Sequence, residues 1–156
     1  MMKKILVLVI LAVIVLVPVT AATNNSYALG LNIGTGASLA GQYQMDKFRL
    51  NGNLGYGFLG GGFVTVDAWA DYRVAEFDIG NIPFWVTAGA GGHAALSFSG
   101  GFAFGVAAIA PIGFGYSFDS KDFPIDLYLR FAPGVAILPN LGFHYDVYAG
   151  AVWRFD

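Results

Sequence analysis

From residue 27 onward the chain alternates apolar and polar side chains with a period of two. Between Phe143 and Phe155 the odd positions read Phe143, Tyr145, Val147, Ala149, Ala151, Trp153 and Phe155. The even positions read His144, Asp146, Tyr148, Gly150, Val152 and Arg154, so every charge falls on one face. A strand keeps two such sets apart, whereas a helix would smear them around its circumference. The division recurs upstream. Val64, Val66, Ala68, Ala70, Tyr72 and Val74 oppose Thr65, Asp67, Trp69, Asp71 and Arg73. Ile125, Leu127, Leu129 and Phe131 oppose Asp126, Tyr128 and Arg130, and Phe48, Leu50, Leu54 and Tyr56 oppose Arg49, Asn51 and Asn53. Turn signals divide the chain into eight predicted strands, at 27–34, 37–45, 48–58, 63–75, 82–96, 102–117, 123–135 and 142–155. The first hairpin carries the least pattern, because Gly30, Gly34, Gly36 and Gly41 interrupt it.

The stretch from Ile79 to Phe118 contains no Asp, Glu, Lys or Arg, so a helical hairpin has to be weighed there. Phe102, Phe104, Val106, Ala108, Ala110, Ile112, Phe114 and Tyr116 share one parity, with aromatic residues at both ends and small aliphatic ones between. That is the layout of a lipid-facing strand between two aromatic girdles. Glycine at so many intervening positions also disfavours a helix. Pro111 falls in mid-strand, where a closed sheet has no free edge to absorb a missing N–H, and a bulge is expected there.

Ahead of the strands, Met1-Met2-Lys3-Lys4 is a short positive segment, and Ile5 to Val17 is an uninterrupted aliphatic run closed by Pro18. This is the layout of a secretory signal peptide over 1–22, with cleavage after Ala21 or Ala22. The alternative, an uncleaved anchor over Ile5–Ala22, barely has the roughly 18 apolar residues it needs. Loss of Lys3 and Lys4 leaves six basic residues, eight less two, against ten acidic ones, a net charge of −4.

Composition then decides between water and lipid. The chain is 156 residues long, 56% hydrophobic and 12% charged, against about 25% charged in an ordinary soluble domain. Its apolar content excludes disorder, its length allows one domain, and its acidic balance offers no face for nucleic acid. Absence of cysteine removes disulfides and thiolate metal sites. Lipid admits only helices or closed barrels. The expected fold is therefore all-β: an eight-stranded antiparallel transmembrane up-and-down β-barrel over 23–156, preceded by a cleaved signal peptide.

Parity places eight charges inside that barrel: Arg49, Arg73, Arg130 and Arg154 against Asp67, Asp71, Asp126 and Asp146. Buried charges must be paired, and eight strands enclose a space just wide enough for side chains. An Arg–Asp ion-pair network plugging the lumen is expected. His93 and His144 share the inward parity near one rim, and Ser97 and Ser99 lie in the adjoining loop. A His–Asp pair activating a serine is sound chemistry, yet the predicted fifth and eighth strands are not neighbours and the serine spacing matches no motif. Two histidines with no evident third ligand also make a poor metal site, so neither catalytic, cofactor nor metal residues are expected. Gly55-Tyr56-Gly57-Phe58-Leu59-Gly60 spells a dinucleotide-binding pattern but runs into a strand rather than a helix.

With these residues in place, the chain resembles the small eight-stranded outer-membrane barrels of the OmpX, OmpW and OmpA transmembrane-domain type, and its glycine-rich style resembles uncharacterised spirochaetal barrels. The most specific element is the last strand. Val147, Ala149, Ala151, Trp153 and Phe155 resemble the aromatic-ended C-terminal signal read by the barrel assembly machinery, although Asp156 follows the aromatic residue that usually ends it. The resemblance implies export to the outer membrane of a diderm bacterium. It implies outer-membrane lipid and the assembly machinery as partners, and a monomer without cofactor. A structural or surface-interaction barrel is the expected role. The alternatives are a narrow conduit for small apolar solutes and a lipid-modifying enzyme.

Overall fold

The computed structural model describes residues 25–58, 62–98, 101–118 and 122–155, and among them every regular element is a strand. In chain order these are β1 (Asn25–Gly34), β2 (Gly36–Met45), β3 (Phe48–Gly57), β4 (Phe63–Ile79), β5 (Ile82–Ser97), β6 (Ala103–Ile109), β7 (Ile112–Ser117), β8 (Ile125–Leu138) and β9 (Gly142–Phe155). β6 and β7 are two halves of one strand, both laid between β5 and β8. β9 returns to β1, from Tyr27 opposite Phe155 to Gly34 opposite Tyr148. The result is a closed antiparallel ring of eight strands with no free edge. The expected signal peptide over 1–22 lies outside the described residues.

Parity sorts the side chains between two environments. Leu29, Leu31, Ile33, Leu54, Leu129 and Val147 face outward and exposed. Aromatic residues rim this apolar band at both ends: Phe48, Tyr72, Phe84 and Phe114 at the end that holds β1's start and β9's finish, Tyr56, Phe98, Phe102 and Phe143 at the other. We call these the terminal and distal ends. Phe48 meets Tyr72 edge-on at 5.1 Å, and Phe84 stacks on Phe114 at 5.1 Å. An apolar belt that encircles the molecule is untenable in water, and between aromatic girdles it is the surface a barrel turns to lipid. The helical alternative for Ile79–Phe118 falls, since β5, β6 and β7 occupy it.

Three details depart from the pattern. One is a bulge at Ile137 on β8, between Leu138 opposite Val106 and Ala136 opposite Ala107. β4 continues to Ile79, past the predicted end at 75, because Val74 bulges out between Arg73 opposite Thr87 and Ala75 opposite Val86. The extra residue flips parity, so Phe77 joins the outer aromatic cluster and Glu76 and Asp78 belong to the strand rather than to a turn. The turn itself is Gly80-Asn81, with Gly80 at φ +66°. At Pro111 the expected bulge is absent. Ile109 lies opposite Gly91 and Ile112 opposite Ala88, and the same spacing holds on β8 with Gly134 and Phe131. The register passes straight through. Pro111's carbonyl still accepts from Gly89 N at 2.9 Å, and Ala110 N donates to Pro133's carbonyl at 2.8 Å. One missing donor is thus absorbed by an otherwise paired ladder.

Candidate functional site

The interior is built in layers. At mid-height Arg130 from β8 reaches across to Asp71 on β4, Nη2 to Oδ2 at 3.4 Å, with both side chains 1% exposed. The same Oδ2 accepts from Asn51 Nδ2 at 3.0 Å and Trp69 Nε1 at 3.2 Å. The guanidinium lies between two rings, 4.7 Å from the centroids of Trp69 and of Tyr128. A polar relay continues above. Tyr128 Oη donates to Asn32 Oδ1 at 2.6 Å, Asn32 Nδ2 donates to Asn53 Oδ1 at 3.0 Å, and Asn53 Nδ2 donates to Asp67 Oδ2 at 3.3 Å. Glycines make room for these bulky groups. A Cβ on Gly115 would strike the Trp85 ring, and one on Gly150 would strike Tyr128.

Toward the terminal end, Arg49 is buried with its guanidinium 4.6 Å over the Trp85 ring, and Arg73 lies 5.8 Å over the same ring. Arg73 pairs with Glu76 at 2.9 Å, and Arg154 lies 3.4 Å from Asp126. Trp85 Nε1 donates to Ser117 Oγ at 3.0 Å. A vestibule of about 420 Å³ opens here, lined in part by Gln44, Arg73, Trp85, Ser117 and Arg154.

The distal end holds the histidines. His93 Nδ1 lies 2.6 Å from Asp67 Oδ1 and 3.5 Å from Asp146 Oδ2. His144 Nε2 lies 2.8 Å from the same Asp146 oxygen. The two imidazoles face each other across the lumen, with centroids 4.4 Å apart. Thr35 Oγ1 donates to Asp146 Oδ1 at 2.9 Å, so this hydroxyl serves the carboxylate rather than an imidazole. Beside them is a small cavity of about 30 Å³, lined by Asn32, Thr35, Asn53, Asp67, His93 and Asp146 among others.

All eight charges assigned to the lumen by parity do point inward, but they are not joined as one Arg–Asp network. Among the described residues, the Arg–Asp pairs are those of Asp71 and Asp126; Asp67 and Asp146 are bonded to histidine, and Arg73 pairs with Glu76. A third ligand for the histidines also exists, against expectation: one donor atom each from His93, His144 and Asp146 lies within 4.8 Å of the others. The parent strands β5 and β9 are not neighbours in the sheet, yet the lumen is narrow enough to join them. Ser99 lies outside the described residues, and Ser97 is buried on β5.

No protein-family model and no curated protein matches the sequence. Among solved structures, the N-terminal β-barrel domain of Pseudomonas aeruginosa OprF superposes with a TM-score of 0.53 at 12% identity, covering 84% of this chain and 96% of that one. The chain has the fold of a small eight-stranded outer-membrane β-barrel. Neisserial surface protein A aligns with a TM-score of 0.48 at 14% identity, covering 84% of this chain and 94% of that one. At such identities the likeness concerns the path of the barrel's backbone. The layers inside it are this chain's own.

Proposed function

We propose that this barrel resides in the outer membrane of a diderm bacterium, exported with residues 1–22 removed, and acts as a closed structural or surface-interacting element rather than as a pore or an enzyme. One observation carries the reading. The two cavities share no lining residue, and Trp69, Asp71, Tyr128 and Arg130, which line neither, are buried in the layer between them. A lumen blocked by bonded and stacked side chains has no open route for solute. The outer-membrane lipid faced by the apolar band is its constant partner, the barrel assembly machinery a transient one, and the fold needs no second copy to close.

The test is conductance in planar bilayers with protein purified in folded form. The expected outcome is the absence of stable, high-conductance openings. Stable openings whose size changes in Arg130→Gln would overturn the plug and promote a channel. Altered envelope lipid that is lost in a His144→Ala strain would promote a lipid-modifying enzyme instead.

A further inference from the structure

We propose that the distal cluster binds one divalent transition-metal ion of the zinc type through His93, His144 and Asp146, with Asp67 fixing the His93 ring. This does not depend on whether the lumen conducts. The donor atoms are already gathered, all within 4.8 Å of one another and as close as 2.8 Å for His144 Nε2 and Asp146 Oδ2. A tetrahedral ion with bonds of ~2.0–2.1 Å holds its ligand atoms about 3.3 Å apart, so modest side-chain rotation completes the site.

Three further observations point to a cation. The first is charge. Asp67 and Asp146 are the two lumen carboxylates whose ion-pair partners are histidines rather than arginines, since Arg130 and Arg154 are engaged with Asp71 and Asp126. Neither carboxylate has an arginine ion pair among the described residues, and one divalent ion offsets their charge. The second is room. The adjoining cavity of about 30 Å³ is lined by Asp67, His93 and Asp146 but not by His144, which meets it through Asp146, and it exceeds the ~10–15 Å³ that one water-sized body needs. The third is support behind the ligands. Asp67 holds His93 at 2.6 Å and Thr35 holds Asp146 at 2.9 Å, while Asn53 steadies Asp67 at 3.3 Å. Hydrogen-bonded partners of this kind orient metal-bound imidazoles and carboxylates. Imidazole with carboxylate suits zinc, nickel or copper, whereas calcium and magnesium prefer all-oxygen sites.

The test titrates zinc into folded, metal-stripped full-length protein in detergent, by calorimetry, in a large excess of magnesium. One saturable equivalent is expected. Asp67→Asn should keep that stoichiometry but weaken affinity by about 10–100-fold. His144→Gln, checked for folding by its heat-modifiable gel mobility, should lose saturable binding, while the exposed Glu76→Gln should leave it unchanged. X-ray absorption of the zinc-loaded wild type, which needs no variant, should show imidazole scattering around the metal. A folded wild type without saturable zinc binding, binding undiminished in His144→Gln, or a bound zinc without imidazole in its shell would each overturn the site.

Discussion

Replacing Arg130 with alanine tests the layer that closes the barrel. The substitution strips the ion-pair partner from a carboxylate that is 1% exposed, leaving Asp71 its Asn51 and Trp69 donors and the longer-range attraction of buried Arg49. Breaking a buried pair by removing one member costs about 3–5 kcal/mol, because the remaining charge is uncompensated. The contact is a single one at 3.4 Å, and Arg130 Nε and Nη1 and Asp71 Oδ1 have no hydrogen-bond partner among the described residues, which sets the electrostatic part near the lower bound. Loss of the two ring contacts at 4.7 Å raises the total again, by roughly 0.5–2 kcal/mol each when desolvated. The expected cost is therefore about 4–7 kcal/mol. Urea unfolding in lipid vesicles, followed by the fluorescence of the lumen tryptophans, measures it as a fall in midpoint at constant slope. Arg73→Ala is the internal control: its partner Glu76 is 60% exposed, and the expected cost is about 1 kcal/mol or less. The double variant Asp71→Leu with Arg130→Met should recover most of the loss, since apolar groups of similar size can replace a buried pair. Equal, small effects for Arg130→Ala and Arg73→Ala would refute the reasoning, because they would mean that water reaches the central pair.

Two further outcomes follow from the inside–outside assignment. Ala149, exposed midway along β9, faces lipid, so Ala149→Arg should destabilise the barrel by about 2–4 kcal/mol in the same unfolding assay. Gly115→Val places a Cβ in the Trp85 ring and should abolish the heat-modifiable folded band, whereas Gly57→Ala, whose Cβ meets Thr65 Cγ2 at 3.5 Å and the Phe63 carbonyl at 4.0 Å, both ordinary contacts, should retain it.

The alternation that predicts eight strands is legible because each strand separates lipid from lumen, and that contrast acts on every second residue. Hence Arg49, Asp71, Asp126 and Arg130 can be placed inside from parity alone. The bulge at Val74 was hidden because a stretch reading Val74-Ala75-Glu76-Phe77 shows no visible break, only a phase change. Pro111 misleads in the opposite direction: its ring suggests a bulge, but the cost is one missing donor, and the register on both sides is kept. Partner choice inside the lumen was legible only in part: Asp67 lies opposite His93 on neighbouring strands and His144 lies two residues from Asp146, but the pairs that cross the barrel have no such sign. Contacts such as His93 to His144 or Arg130 to Asp71 cross the barrel between strands that share no ladder, so neither spacing nor adjacency encodes them. The glycines carry that information only negatively. Gly115 and Gly150 are readable as small residues, but the rings they accommodate, Trp85 and Tyr128, come from other strands.

The charge count conceals an arrangement that bears on function. Four arginines against four aspartates is neutral, yet Arg49, Arg73, Arg130 and Arg154 all lie at mid-height or toward the terminal end, and Asp67 and Asp146 lie toward the distal end. A plug alone requires only that each charge be compensated where it sits. Compensation is local at Asp71 and Asp126, where arginine answers carboxylate, and at Asp67 and Asp146 it is left to imidazoles, which supply hydrogen bonds but no fixed positive charge. The blocked middle lies between two mouths of unlike make-up. One is a larger vestibule where Arg73 and Arg154 stand beside Glu76 and Asp78; the other is a smaller pocket lined by Asp67, Asp146 and His93, without an arginine among the described residues. Solute that does not pass the middle can still bind at either mouth. The make-up of each mouth differs, and the arginine-free distal one suits the cation proposed for it.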